Sequence, residues 1–187
     1  MNTNDRGVRV NRVAALSDAN GPAARLRAAL ARYQESVVRG DVLDPVVTEL
    51  VRLRCARSHD CRVCQSLRMG DAADAGVDDT VTGKVDDYRT SDLPYRTKLA
   101  LAVTDAMIGR PGDLDEALVR SVVDEFTVGE LAELCLDVTK WSTQKINVAL
   151  GLDAADPLPA YAQLRFDEAG RATVVASLTG PTVPRHR

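Results

Sequence analysis

From Leu26 to Trp141 the apolar residues recur three and four positions apart, and the residue types that open and close helices stand between the runs. This rhythm limits the fold more than any other feature, because a period near 3.6 cannot lie flat in a sheet. Leu26, Leu30, Tyr33 and Val37 make one helical face, opened by Gly21-Pro22 and stopped at Gly40. Asp44-Pro45 pairs an N-cap side chain with proline at the first helical position, and the helix it opens turns Val46, Val47, Leu50, Val51 and Leu53 inward. Ser58-His59-Asp60 interrupts the pattern, and Asp60 is placed to cap a third helix from Cys61 to about Met69-Gly70. Val77, Val81 and Val85 stand four apart on a further face.

Leu93-Pro94 starts a helix through about Ile108, closed by Arg110-Pro111-Gly112. Asp113 is expected to cap the next, with Leu114, Leu118, Val122 and Phe126 on its apolar side. Thr127-Val128-Gly129-Glu130 fits a capping box and launches the longest helix through Leu131, Leu134, Cys135, Val138 and Trp141 to Gly151. Pro157 and Pro159 then break the pattern, and Leu164-Arg165-Phe166 and Ala172-Thr173-Val174-Val175 flank Asp167-Glu168-Ala169-Gly170 as a small hairpin. The expected architecture is an all-α helical bundle over residues 21–152, preceded by a loose arm at 1–20 and followed by an extension at 153–187 that holds the hairpin and a mobile tail. No strand–helix alternation is present to support a Rossmann or thioredoxin fold.

The chain of 187 residues is long enough for a real core, and with aromatics at only 4% that core must be built from Ala, Val and Leu. A net charge of −3 with both signs interspersed leaves no basic stripe, which argues against a nucleic-acid partner. Met1 to Val10 is polar, and no run approaches the ~18 apolar residues of a membrane span, so a cytoplasmic protein is expected.

In a reducing compartment, close cysteines signal redox or metal chemistry rather than structural bridging. Of Cys55, Cys61, Cys64 and Cys135, only Cys61 and Cys64 are close, as Cys61-Arg62-Val63-Cys64. At helical i, i+3 spacing their β-carbons lie about 5–6 Å apart, within reach of a disulfide after modest adjustment. A helix N-terminus makes a thiol more acidic, and Arg62 and Arg68 push the same way. Only the thiolate attacks a peroxide, and the sulfenic acid so formed needs a neighbouring thiol to become a disulfide. Two blander readings stand beside this one. The pair could be small buried apolar residues, or it could hold zinc, for which Cys55 and His59 are the only further ligands nearby. Cys55 and Cys135 fall on apolar helical positions and read as packed core thiols, and Arg52, Arg54 and Arg57 read as a solvated face.

Glu49-Leu50-Val51-Arg52-Leu53-Arg54 followed by Ser58-His59-Asp60-Cys61-Arg62-Val63-Cys64 resembles the signature of the alkylhydroperoxidase D-like members of the carboxymuconolactone decarboxylase family. That signature has a Glu in one helix, CxxC twelve residues later, and a His four residues beyond the second Cys. Leu93-Pro94-Tyr95-Arg96-Thr97-Lys98-Leu99-Ala100-Leu101-Ala102 resembles the family's helix start, and Trp141 with Asn147-Val148-Ala149-Leu150-Gly151 the end of its last helix, so the likeness covers roughly residues 42–152. It implies a thiol-dependent peroxidase or disulfide oxidoreductase in which Cys64 attacks, Cys61 resolves and Glu49 accepts a proton. The helix dipole alone would favour Cys61 as the attacking thiol.

The resemblance also implies trimers or larger rings, a hydroperoxide or related small substrate, and an external reductant. The internal disulfide would serve in place of any cofactor, with no metal. The chain departs from the signature at Arg68, where the family has its relay His. An arginine cannot shuttle protons, although it can lower a thiol pKa or bind an anion. His59 is the candidate substitute acid/base. The rival functions are a lyase or isomerase of the decarboxylase branch, with Arg68 holding a carboxylate, and a non-enzymatic redox sensor.

Overall fold

The computed structural model describes residues 24–143 and 161–176, and the expected arm, the end of the longest helix and the tail lie outside them. Asp44 caps helix α2 (Pro45–Ser58), its carboxylate accepting from the Val46 and Val47 N–H groups, and the Thr127/Glu130 capping box opens α8 (Val128–Ser142). Between them in sequence lie α3 (Arg62–Gln65), α4 (Gly70–Asp74), α5 (Asp79–Gly83), α6 (Tyr95–Ile108) and α7 (Glu116–Glu125), with α1 (Ala24–Val37) ahead of α2. Buried residues run without a break from Glu49 to Leu53. A helix buried on consecutive positions is covered all round, so α2 is the central helix, packed between α6 and α8. The aliphatic core expected from composition is found: Leu50, Val51 and Leu53 of α2 meet Leu99 and Leu101 of α6 and Leu134 and Val138 of α8. Among the described residues no helix is long and apolar enough to cross a membrane.

The protein is mostly helical but not all-α. The expected hairpin forms as β2 (Ala162–Phe166) and β3 (Ala172–Ala176), and β2 also pairs in parallel with a strand inside the dithiol segment, β1 (Leu67–Met69). The third helix, expected to reach Met69, therefore ends at Gln65. Its carbonyls are diverted: Arg52 takes those of Cys64 and Leu67, and the Ala162 N–H takes that of Ser66. The hairpin is thus built onto the helical body through Leu67–Met69. Gly170 sits in its turn at φ 76°, where an added Cβ would stand 2.2 Å from the Glu35 carbonyl oxygen of α1, so both conformation and space require glycine.

Three local starts differ from the sequence reading. Asp60 does not cap α3; it adopts φ 52° as the left-handed residue closing α2, with Cys61 N–H on Ala56 O and Asp60 N–H on Arg57 O. That pair of bonds is a Schellman ending, and aspartate takes the glycine position. Asp115 rather than Asp113 caps α7, because Pro111–Asp113 forms a turn of 3₁₀ helix. The Val77, Val81 and Val85 face is not one helix: α4 stops at Asp74, and Asp78 caps a separate α5.

Candidate functional site

Cys61 is the N-cap of α3, and the Cys64 N–H donates to its Sγ at 3.3 Å. The two cysteines form a disulfide, with Cα atoms 5.3 Å apart. Cys61 is only 3% exposed, whereas Cys64 is half-buried and open to solvent. The two residues therefore differ in exposure, and access is one of the properties that decide which sulfur is attacked. Cys55 lies elsewhere, fully buried in α2, and burial pushes its thiol up to about 12, so it is inert. Cys135 is exposed on α8, contrary to its reading as a core thiol.

Glu49 is buried, and both its oxygens accept from Arg52 one helical turn on, Oε2 from Nε at 2.6 Å and Oε1 from Nη2 at 2.8 Å. Arg52 is 2% exposed, which overturns its reading as part of a solvated face. Its guanidinium also donates to Cys64 O at 2.8 Å and Leu67 O at 2.6 Å. The fork binds a carboxylate on one side and the dithiol segment on the other, a use of five planar donors that lysine could not copy. A buried guanidinium needs this neutralising partner, so Glu49 is held as a counter-ion beneath the segment. The sequence carried the signal, since Glu49 and Arg52 stand at the i, i+3 spacing of a helical ion pair.

Arg68 extends from β1, not from a helix. Its Nη1 donates to the Gln65 and Leu67 carbonyls, its Nη2 lies 3.5 Å from Asp79, and its guanidinium covers the Tyr161 ring at 3.9 Å. Burial lowers its pKa, with Arg52 adding to the effect, but a guanidinium keeps its charge. Tyr161 was invisible to sequence reasoning because only the parallel β1–β2 pairing brings residue 161 beside residue 68. His59, the candidate substitute acid/base, is buried at the C-cap of α2, where its backbone N–H donates to Cys55 O. The structure therefore gathers Glu49, Cys61 and Cys64 around Arg52, and turns Arg68 toward Tyr161 and Asp79. Among the described residues no group of three or more His, Cys, Asp or Glu is placed to hold a metal ion.

Fold and site together define a mostly helical protein with a CxxC disulfide at the start of a short helix, clamped from below by a buried Glu–Arg pair. No family model matches the chain. It is similar to a protein described as uncharacterized in each of two strains of Mycobacterium tuberculosis, with 42% identity over 123 residues in both cases. Those matches cover 65% of this chain and 43% of each relative, so the chain spans less than half the length of the curated relatives it matches.

Proposed function

We propose that this is a dithiol–disulfide redox protein of the alkylhydroperoxidase D-like kind, passing two electrons at a time through Cys61 and Cys64. The observation that carries the reading is the asymmetry of the pair, with a half-buried Cys64 and a buried Cys61 whose sulfur already accepts a backbone N–H. In recharging, a thiolate of an external dithiol attacks Cys64 Sγ. The Cys61–Cys64 bond breaks, the electron pair goes to Cys61, and the Cys64 N–H stabilises the leaving thiolate. The reductant's second thiol then attacks the mixed disulfide and releases Cys64.

In the oxidising half, the Cys64 thiolate attacks a hydroperoxide oxygen, the O–O bond breaks, and the departing alkoxide takes a proton from water. Cys61 condenses with the Cys64 sulfenic acid, forming the disulfide and releasing water. Glu49 is bound to Arg52 through both oxygens and Arg68 cannot give up its proton, so this half lacks the family's relay and runs slowly. Exchange with partner disulfides needs no such relay, and the site favours it. The resemblance extends to assembly as a homo-oligomer.

The test is peroxide consumption per dithiol in the native chain, Arg68→His and Glu49→Gln, with cysteine alkylation mapped by mass spectrometry. Native turnover should be weak, and mild peroxide should remove two hydrogens from the peptide holding Cys61 and Cys64. Persistent alkylation of both thiols after peroxide, or stoichiometric zinc in protein prepared without added metal, would refute the redox reading.

A further inference from the structure

A second constellation lies between α8, the end of α1 and the start of α2, and its lining includes neither cysteine of the dithiol. It is a cavity of about 230 Å³ whose walls include Leu43, Thr48, Met69, Glu133, Asp137 and Trp141. Two polar atoms on these lining residues are buried without a hydrogen-bond partner among the described residues, Asp137 Oδ2 and Trp141 Nε1, and Asp137 as a whole is 2% exposed. Unsatisfied buried groups are rare and costly in folded proteins, and two of them on one cavity call for a ligand. Glu133 on the same wall accepts from the Val42 and Leu43 N–H groups at 3.0 and 3.2 Å. Asp41 and Asp71, the latter 3.6 Å from Arg165, add two exposed carboxylates to the lining, and among the described residues no Lys, Arg or His belongs to it. Two cations lie over the Trp141 ring, Lys140 at 3.4 Å and Arg52, already engaged by Glu49, at 5.9 Å.

We infer that this cavity binds a small aminoalkyl ligand, its ammonium donating to Asp137, its stem against Leu43 and Met69, and a hydroxyl or carbonyl at its other end accepting from Trp141 Nε1. The field selects the cation, since four carboxylates face the space. The apolar walls select an alkyl stem over a hydrated metal ion. The volume is below that of ordinary drug-sized pockets, which limits the ligand to a short chain. This site does not depend on the redox reading of the dithiol.

Trp141 is the single tryptophan of the chain, so its fluorescence reports on the cavity directly. The full chain is titrated at pH 8 with aminobutanol, butylamine and butanol, and Asp137→Asn and Thr48→Met are titrated in parallel with circular dichroism as the folding control. Aminobutanol should give a saturable change in emission, butylamine a weaker one, and butanol none. Asp137→Asn should weaken aminobutanol binding about tenfold or more, the usual loss when a charge-assisted hydrogen bond goes. Thr48→Met should abolish it by filling the space. Butanol binding as well as butylamine to the unaltered chain would overturn the proposal whether or not either variant folds, as would no saturable response to aminobutanol. Equal affinity in a folded Asp137→Asn would do the same.

Discussion

Arg52 decides how the dithiol segment is held, and its behaviour is testable one residue at a time. Glu49→Gln leaves a guanidinium buried without its counter-charge, which should cost about 3–5 kcal/mol in urea unfolding. Arg52→Lys should lose much of the same stability, because an ammonium cannot serve the carboxylate and two carbonyls in one plane. Asp137 and Lys140 make a different prediction. Burial, with Glu133 adding to it, raises Asp137 to about 7, and burial lowers Lys140 to about 8. From about pH 4, the unfolded value, to pH 7, folded Asp137 keeps a proton that the unfolded chain gives up, so stability falls as pH rises. From pH 8 to about 10.4 the unfolded chain keeps a proton that folded Lys140 lacks, so stability rises again. Denaturant midpoints should therefore show the pair's contribution at its lowest between pH 7 and 8, and Asp137→Asn should flatten the acid-side limb. A midpoint in the native chain that climbs steadily from pH 5 to 8 would contradict the assignment.

Among the elements, the end of α2 is the sharpest case. Asp60 occupies a left-handed position that glycine fills without steric cost, so Asp60→Gly should raise stability by up to about 1 kcal/mol. Gly170→Ala should lower it by about 1–2 kcal/mol or more, through strain and through collision with α1. The disulfide itself closes a loop of only four residues, for which chain entropy gives about 2 kcal/mol. Reduction should then shift the melting temperature modestly and leave the far-ultraviolet spectrum intact, as the proposed redox cycle requires.

The same elements show what could be read from the sequence. Periodicity places α2, α6 and α8, with side-chain caps at α2 and α8 and Pro94 at the start of α6, because these signals are local and the apolar residues are long runs. The strand at Leu67–Met69 was not legible: three residues carry no period, and its partner lies at Ala162–Leu164. The Asp113 cap failed because Asp115 stands two residues on, and the Asp60 cap because that residue closes α2 in a left-handed conformation and Cys61 takes the N-cap, choices that only backbone geometry makes. Within the site, the cysteines and the i, i+3 spacing of Glu49 and Arg52 were legible, but the burial of that pair was not, since an amphipathic reading of α2 cannot anticipate a helix buried on every side.

For the molecule as a whole, α1 carries Leu26 at 75% and Leu30 at 40% exposure, a face with no cover inside the described chain. If the homo-oligomer proposed above forms through it, light scattering should give a multiple of the 20.2 kDa chain. Leu26→Glu with Leu30→Glu should then return a folded monomer, and an unchanged mass would place the interface elsewhere. The parallel pairing of Leu67 with Ala162 has a consequence in time. Contacts so distant in sequence close late, while helices such as α2 and α6 gather early and locally. During synthesis the CxxC turn emerges and can be oxidised long before the strand that will lie beside it exists. Pulse-labelled amide exchange during refolding should find α2 and α6 protected first and Ala162–Phe166 last. The chemistry of this protein would then be in place before its architecture is complete.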